Sequence, residues 1–149
     1  MKLDDNGYEL ITDFEGLKLK PYLCSARIPT IGYGNTYYSD GKRVTLLDGE
    51  ITQLEAFDMF KEIADRFALA VNRRLKKPVT QNQFNSLVSF AYNVGTGNFM
   101  SSTLLKKVNI NPNDPSIKTE FLKWNKASGQ VVNGLTIRRN KEQINYFST

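Results

Sequence analysis

The feature that most constrains this chain is a change of hydrophobic period near residue 50. Before it, "LKLKPYL", "IPTIGYGNT" and "KRVT" alternate as short strands do, with turn residues between them. "YSDGKRV" carries Asp-Gly, a strong tight-turn pair, and reads as a hairpin. Residues 17 to 46 therefore read as a small twisted sheet. After residue 50 the spacing becomes helical. Thr52 to Glu55, "TQLE", is a capping box in which the Thr hydroxyl and the Glu carboxylate each satisfy a free backbone N–H. Leu54, Phe57, Ala64, Phe67, Ala68, Val71 and Leu75 then mark one face of a long helix, which runs to about Arg74 and stops before Pro78. A chain that segregates its strands from its helices in this way is α+β.

Further helices have their own punctuation. Leu3, Leu10, Ile11, Phe14 and Leu17 define an N-terminal helix capped by Asp4 or Asp5 and ending at Glu15-Gly16. Thr80 and Gln83 make a second capping box, and Val79 against Phe84 a hydrophobic staple. Phe84, Leu87, Val88 and Ala91 form the buried face of that helix, and Gly95 is placed to end it in a left-handed conformation. "SSTLLKKV" reads as a short helix. "NDPSIKTEFLKW" begins with Asp114 as cap and Pro115 in the first turn, and "GLTIRRNKEQINYF" is last. The 149 residues, 40% of them hydrophobic, suffice for one domain with a real core and room for two lobes. No repeat or low-complexity tract interrupts them.

Composition narrows the chemistry. No apolar run approaches the roughly eighteen residues of a membrane span. The start, "MKLDDNGYEL", lacks the apolar core of a signal peptide, so folding in a cytoplasm is expected. The single cysteine forms no internal disulfide, and with no histidine the usual zinc sites are excluded. A general acid or base must then be a carboxylate, Cys, Tyr or Lys. The net charge of +5 suits a polyanionic partner: nucleic acid, an acidic membrane surface or an acidic cell wall.

The stretch "FEGLKLKPYLCSARIPTIGYGNT" holds the candidate chemistry. Glu15 falls at a helix C-terminus, where the dipole disfavours a carboxylate. A compensating arginine, or a raised pKa of the kind a general acid needs, is expected there. Cys24 alone reads as a small buried hydrophobe, Thr30 as a strand residue, and the glycines of "GYG" as shaping a strand end. The joint spacing is more specific: Glu15, eight residues, Cys24, five residues, Thr30, then Ile-Gly-Tyr-Gly.

On this spacing the chain resembles phage-type lysozymes, the endolysin family classed as glycoside hydrolase family 24. Members carry Glu, eight residues, Asp or Cys, five residues, Thr. The resemblance continues through "TIGYGNT", "VTQNQFNSLVSFAYNVGTGNF", "SSTLL", "FLKWNKASGQVVNGL" and the Arg-Arg pair, covering nearly the whole chain. Cys24 stands where many relatives have Asp, and Asn35 where many have His. The resemblance implies a lysozyme-like single domain: a small β-sheet lobe at about 17–50 and a larger helical lobe, about 53–149 with the N-terminal helix, flanking a cleft and joined by the long helix. The implied substrate is the β-1,4 bond between N-acetylmuramic acid and N-acetylglucosamine in peptidoglycan. Glu15 matches the general acid, and Cys24 and Thr30 the pair that handles the attacking water. One of Arg138 and Arg139 is placed near Glu15. Tyr92, Asn93, Ser102 and Thr103 are placed along the cleft, with packing or helix capping as the alternative for all four. The resemblance further implies a monomer needing no metal or cofactor, held in the host cytoplasm until a holin releases it to the periplasm and cell wall. Neither nucleic-acid binding nor stable membrane insertion is implied.

The role of Cys24 stays open at this level. As a thiolate it could deprotonate a water held by Thr30, giving inversion. It could instead stabilise or attack the oxocarbenium ion, giving retention or transglycosylation. A free thiol has a pKa of about 8.5, so Arg27 and the basic surface are candidates for lowering it. Rival readings are a lytic transglycosylase on the same fold, a non-catalytic peptidoglycan-binding protein, and a nucleic-acid-binding domain. The last lacks any recognised motif and has dispersed rather than striped basic residues.

Overall fold

The first helix forms where the sequence offers a cap. In the computed structural model, which describes all 149 residues, α1 spans Asp5–Thr12. Asp4 Oδ1 accepts from the Gly7 N–H at 2.9 Å and from Asn85 Nδ2 at 2.8 Å, so one carboxylate caps α1 and ties it to the helix carrying Asn85. A Cβ on Gly7 would lie 2.5 Å from Asn85 Oδ1, so a side chain there would have to displace Asn85. The helix stops short of the expected Glu15-Gly16 end. The Glu15 N–H bonds back to Thr12 O at 3.0 Å, a tightened turn outside the helix.

The remaining elements are β1 (Lys18–Leu23), β2 (Pro29–Gly32), α2 (Gln53–Arg74), α3 (Gln81–Val94), α4 (Thr96–Ser101), α5 (Thr103–Ile110), α6 (Ile117–Leu122), β3 (Lys126–Ala127), β4 (Gln130–Val131) and α7 (Asn133–Tyr146). The fold is α+β. The chain divides into two compact units, Thr12–Asp65 and Met1–Ile11 with Arg66–Thr149, with one boundary at the last residue of α1 and the other inside α2.

In the Thr12–Asp65 unit, β1 and β2 pair antiparallel with Tyr22 opposite Thr30 and Leu23 opposite Pro29. Ile31, Val44 and Met59 form the core, with Tyr38 and Ile51 packed against it. Phe60 is fully buried, its ring 5.5 Å from Tyr33 and 6.0 Å from Phe57. The Asp-Gly turn forms as expected: the Gly41 N–H reaches Tyr38 O at 3.0 Å and Gly41 has φ 87°. The "KRVT" strand does not. Pairing stops at a single Tyr37–Arg43 bridge because Asp48 captures Thr45. Its carboxylate accepts from the Thr45 N–H at 2.8 Å, from the Thr45 hydroxyl at 2.6 Å and from Tyr38 OH at 2.7 Å. The Thr52–Glu55 capping box is present, with bonds of 3.3 and 3.1 Å. Leu54, expected on the buried face of α2, is 70% exposed, because Ala56, Phe60 and Ala64 set that face and Leu54 lies off it.

In the helical unit, α3 opens on the Thr80–Gln83 capping box and is buried from Gln83 through Ala91. Gly95 ends α3, but at φ 93° and ψ 152°, an extended mirror-image conformation rather than the left-handed helical one. That geometry restarts the chain at once as α4, which the sequence reading did not anticipate. Asp114 holds the Ser116 N–H at 2.9 Å and hydroxyl at 2.8 Å, and α6 begins at Ile117 rather than Pro115. The β3–β4 hairpin was also unanticipated. It turns through Ser128 (φ 51°) and Gly129 (φ 77°), and the Ser-Gly pair was its available signal. Phe90 anchors the core, with its ring 5.6 Å from both Phe121 and Trp124 and 6.4 Å from Phe99. No helix is long and apolar enough to cross a membrane.

A fully buried carboxylate joins α7 to α3. Glu142 accepts from Ser89 Oγ at 2.5 Å, from Arg138 Nε at 3.3 Å and from Arg139 Nη1. Arg138 also donates to Ser89 O, and Arg139 to Trp124 O and Asn93 Oδ1. Burial pushes the Glu142 carboxyl up, against the pull of the two guanidiniums. Replacing Glu142 by Ala would leave two buried guanidiniums without their anion. A loss of about 3–5 kcal/mol in urea unfolding is expected.

Candidate active site

The β1–β2 hairpin supplies two of the three motif residues. Its loop is short: the Arg27 N–H donates to Cys24 O at 2.8 Å and the Cys24 N–H to Ile28 O at 3.2 Å. Three residues thus separate the closing pair, and the last of them, Arg27, has φ 61°. Glycine is the usual occupant of such a position, and another residue costs about 1–2 kcal/mol there.

Cys24 is a free, half-buried thiol at the start of this loop. Hydrogen bonds hold it below the ordinary thiol value, from the Ile28 N–H first, then the Thr30 hydroxyl, then the Ala26 N–H. Arg27 is not among the causes, contrary to the expectation from sequence. Donors of the turn and the neighbouring strand do the work instead.

Thr30 is only 2% exposed, and its Oγ1 donates to Ile28 O at 2.8 Å. A hydroxyl has one hydrogen and two lone pairs. Directed at Ile28 O, the hydrogen leaves the oxygen free to accept; turned to the Cys24 sulfur, it favours the thiolate. The burial of Thr30 makes the sulfur, rather than a solvent water, its natural partner.

Glu15 is half-buried in the bend that follows α1. Its Oε2 lies 4.0 Å from the point a Cβ on Gly34 would occupy, which sets the carboxylate beside the loop after β2. That loop is closed by reciprocal 2.9 Å bonds between Ile31 and Asn35. Gly32 and Gly34 have φ 68° and 90°, so the glycines of "IGYG" are there for backbone conformation. Asn35 is buried beneath them. The first strand pair and its flanking loops therefore carry Cys24 and Thr30 at one end and approach Glu15 at the other.

The other candidates separate by role. Tyr92 is half-buried with its ring 5.2 Å from Phe67. Asn93 is exposed, and its side-chain oxygen accepts from Arg139. Ser102 caps α5, the alternative given for it above: it is 3% exposed, its Oγ accepts from the Leu105 N–H at 3.1 Å and donates to Phe99 O at 2.7 Å. Thr103 is exposed and borders a surface depression with Ser101, Glu120, Lys123 and Trp124. Arg138 and Arg139 both belong to the Glu142 cluster. Glu142 itself was missed from sequence, although it lies three and four residues after two arginines on one helix, a spacing that marks ion pairs.

Comparison with known proteins bears on the family and the fold. The family model described as phage lysozyme matches residues 12–142. The endolysin of Bacillus phage PZA is 44% identical over 99% of this chain, and the chain spans 56% of that relative's length. The endolysin of Acyrthosiphon pisum secondary endosymbiont phage 1 is 37% identical over 90% of this chain and 85% of its own. Among solved structures, an endolysin from the Escherichia coli phage FAHEc1 superposes with a TM-score of 0.91 at 38% identity, covering 99% of this chain and 94% of that one. By the family match and by full-length likeness in sequence and fold, this chain belongs to the phage lysozyme family.

Proposed function

We propose that this chain is a muramidase that hydrolyses the β-1,4 bond between N-acetylmuramic acid and N-acetylglucosamine in peptidoglycan and so lyses the host cell. The observation that carries the reading is the match of residues 12–142 to the phage lysozyme family, with Glu15, Cys24 and Thr30 at the motif spacing. Family membership supports the substrate, and the net charge of +5 suits an anionic wall.

Glycoside hydrolysis needs a proton on the leaving oxygen and a nucleophile at the anomeric carbon. On this reading Glu15 donates the proton. The Cys24 thiolate takes a proton from the attacking water, and Thr30 supports the thiolate by turning its hydroxyl to the sulfur. The water's oxygen bonds to the anomeric carbon as the bond to the leaving oxygen breaks. The protein acts as a monomer on peptidoglycan after a holin admits it from the host cytoplasm.

Mass spectrometry of digested peptidoglycan should show a product with water added at the anomeric carbon. A 1,6-anhydro product would make the protein a transglycosylase. Glu15→Gln should cost about a hundredfold or more in rate with little change in Tm, since the amide keeps the shape but donates no such proton. A folded, active Glu15→Gln protein would overturn the assignment.

Cys24→Asp should retain activity, because a carboxylate can accept the water's proton, while Cys24→Ser should lose most of it. An inactive, poorly folded Asp variant beside an active Ser variant would return Cys24 to a packing role. Alkylation of Cys24 should follow a pH profile with its midpoint below the roughly 8.5 of a free thiol. A lowered pKa means more thiolate at each pH below the ordinary midpoint, so reaction begins earlier as pH rises. Thr30→Val should move that midpoint upward and slow turnover together. A profile and a rate that both stay unchanged would leave Thr30 an ordinary strand residue.

A further inference from the structure

From Arg66 to Asn113 the sequence holds seven lysines and arginines and no aspartate or glutamate. That exceeds the +5 of the whole chain, so the remainder is net negative and the positive charge is segregated. Dispersed along the sequence, these cations converge in the fold. Asn109 accepts from the Lys76 N–H at 2.8 Å and donates to Arg74 O at 2.9 Å, which pins the end of α2 to the end of α5. Lys106, three residues before Asn109, lies on the same face of α5. Arg73, Arg74, Lys76, Lys77 and Lys106 are all exposed, and no carboxylate pairs with any of them. Lys107, by contrast, is neutralised by Glu120 at 2.9 Å. The helix dipole accounts for Arg73 and Arg74 in the last turn of α2, but not for the other three.

The patch has an apolar tip. Ile110 is 77% exposed, and with Lys77, Pro78, Val79 and Pro112 it borders one surface depression. A nucleic acid would use the cations but not the isoleucine, and its bases would stack on aromatic side chains, none of which borders the depression. A bilayer meets both features at once: headgroup phosphates for the cations and an interfacial apolar layer for Ile110. We propose that this end of the helical unit is a peripheral docking surface for an anionic phospholipid bilayer, with the five cations over the phosphates and Ile110 entering the interface. The inference does not depend on the muramidase reading.

The test is co-sedimentation of the full chain with vesicles of equal parts phosphatidylglycerol and phosphatidylcholine, and with vesicles of phosphatidylcholine alone. Binding is expected to the first only, and it should weaken as salt rises. The double variant Lys76→Gln, Lys77→Gln should bind about twenty-five-fold more weakly, about fivefold for each charge removed near an anionic surface. Ile110→Ser should weaken binding about tenfold with the salt dependence unchanged, since it removes apolar contact and no charge. Lys126→Gln, on β3, should match the wild type. The substituted side chains are exposed, so each variant should keep the wild-type Tm. No binding, equal binding to both vesicle types, or a double variant that keeps its affinity would overturn the proposal. Vesicle binding indifferent to Ile110→Ser would overturn it too and leave a charge-only patch, for which duplex DNA should then compete as well as anionic vesicles do.

Discussion

The helical unit is organised around one buried carboxylate. Glu142 has no solvent exposure, yet it sits among two guanidiniums and a serine hydroxyl that leave its oxygens no need of water. The same guanidiniums reach onward to backbone carbonyls of α3 and of the segment after α6, and Arg139 also covers the face of Phe90 at 5.1 Å. Several elements are thus registered by one anion. Such a cluster is a weak source of net stability, since ionic desolvation opposes the attraction. Its consequence is geometric, because losing any member strands the others.

The Thr12–Asp65 unit depends on a different constraint, the closing of a short hairpin. Fixing Cys24 opposite Ile28 decides where the thiol lies and which donors it meets. The strand register then brings Thr30 alongside, and the glycines after β2 turn the chain past Glu15. Spacing along the sequence becomes proximity in space because each interval is absorbed by a defined turn.

This also explains what was legible in the sequence. Capping boxes at Thr52 and Thr80 and the Asp-Gly turn at residues 40–41 were readable because their determinants lie within four residues. The end of α1 and the fate of "KRVT" were not. Leu10, Phe14 and Leu17 keep helical spacing beyond the last helical turn, and only the tightened turn at Thr12 shows where the helix ends. The strand at Val44 is cut short by Asp48, whose side chain competes with the ladder for Thr45. At the site, the types and spacing of Glu15, Cys24 and Thr30 were visible, whereas the capping role of Ser102 depends on where α5 begins. Sequence reasoning looked to Arg27 to tune the thiol because like and unlike charges can be counted in a sequence, whereas the direction of a backbone N–H cannot.

That substitution of donors bears on how a thiol can take up the anionic role proposed for it. A turn that offers N–H groups, with a hydroxyl from the adjoining strand, stabilises whichever anion is placed there, because the donors recognise negative charge rather than a particular side chain. An aspartate needs no such help to ionise near neutral pH, while a cysteine does, by the amount separating its ordinary pKa of about 8.5 from the working pH. Each unit of lowering multiplies the thiolate fraction about tenfold while that fraction is small. Because neutral backbone dipoles carry this task, no cation has to be held against the sulfur. The one cation on the loop, Arg27, then remains directed at solvent, where its charge is available to whatever anion the hairpin meets.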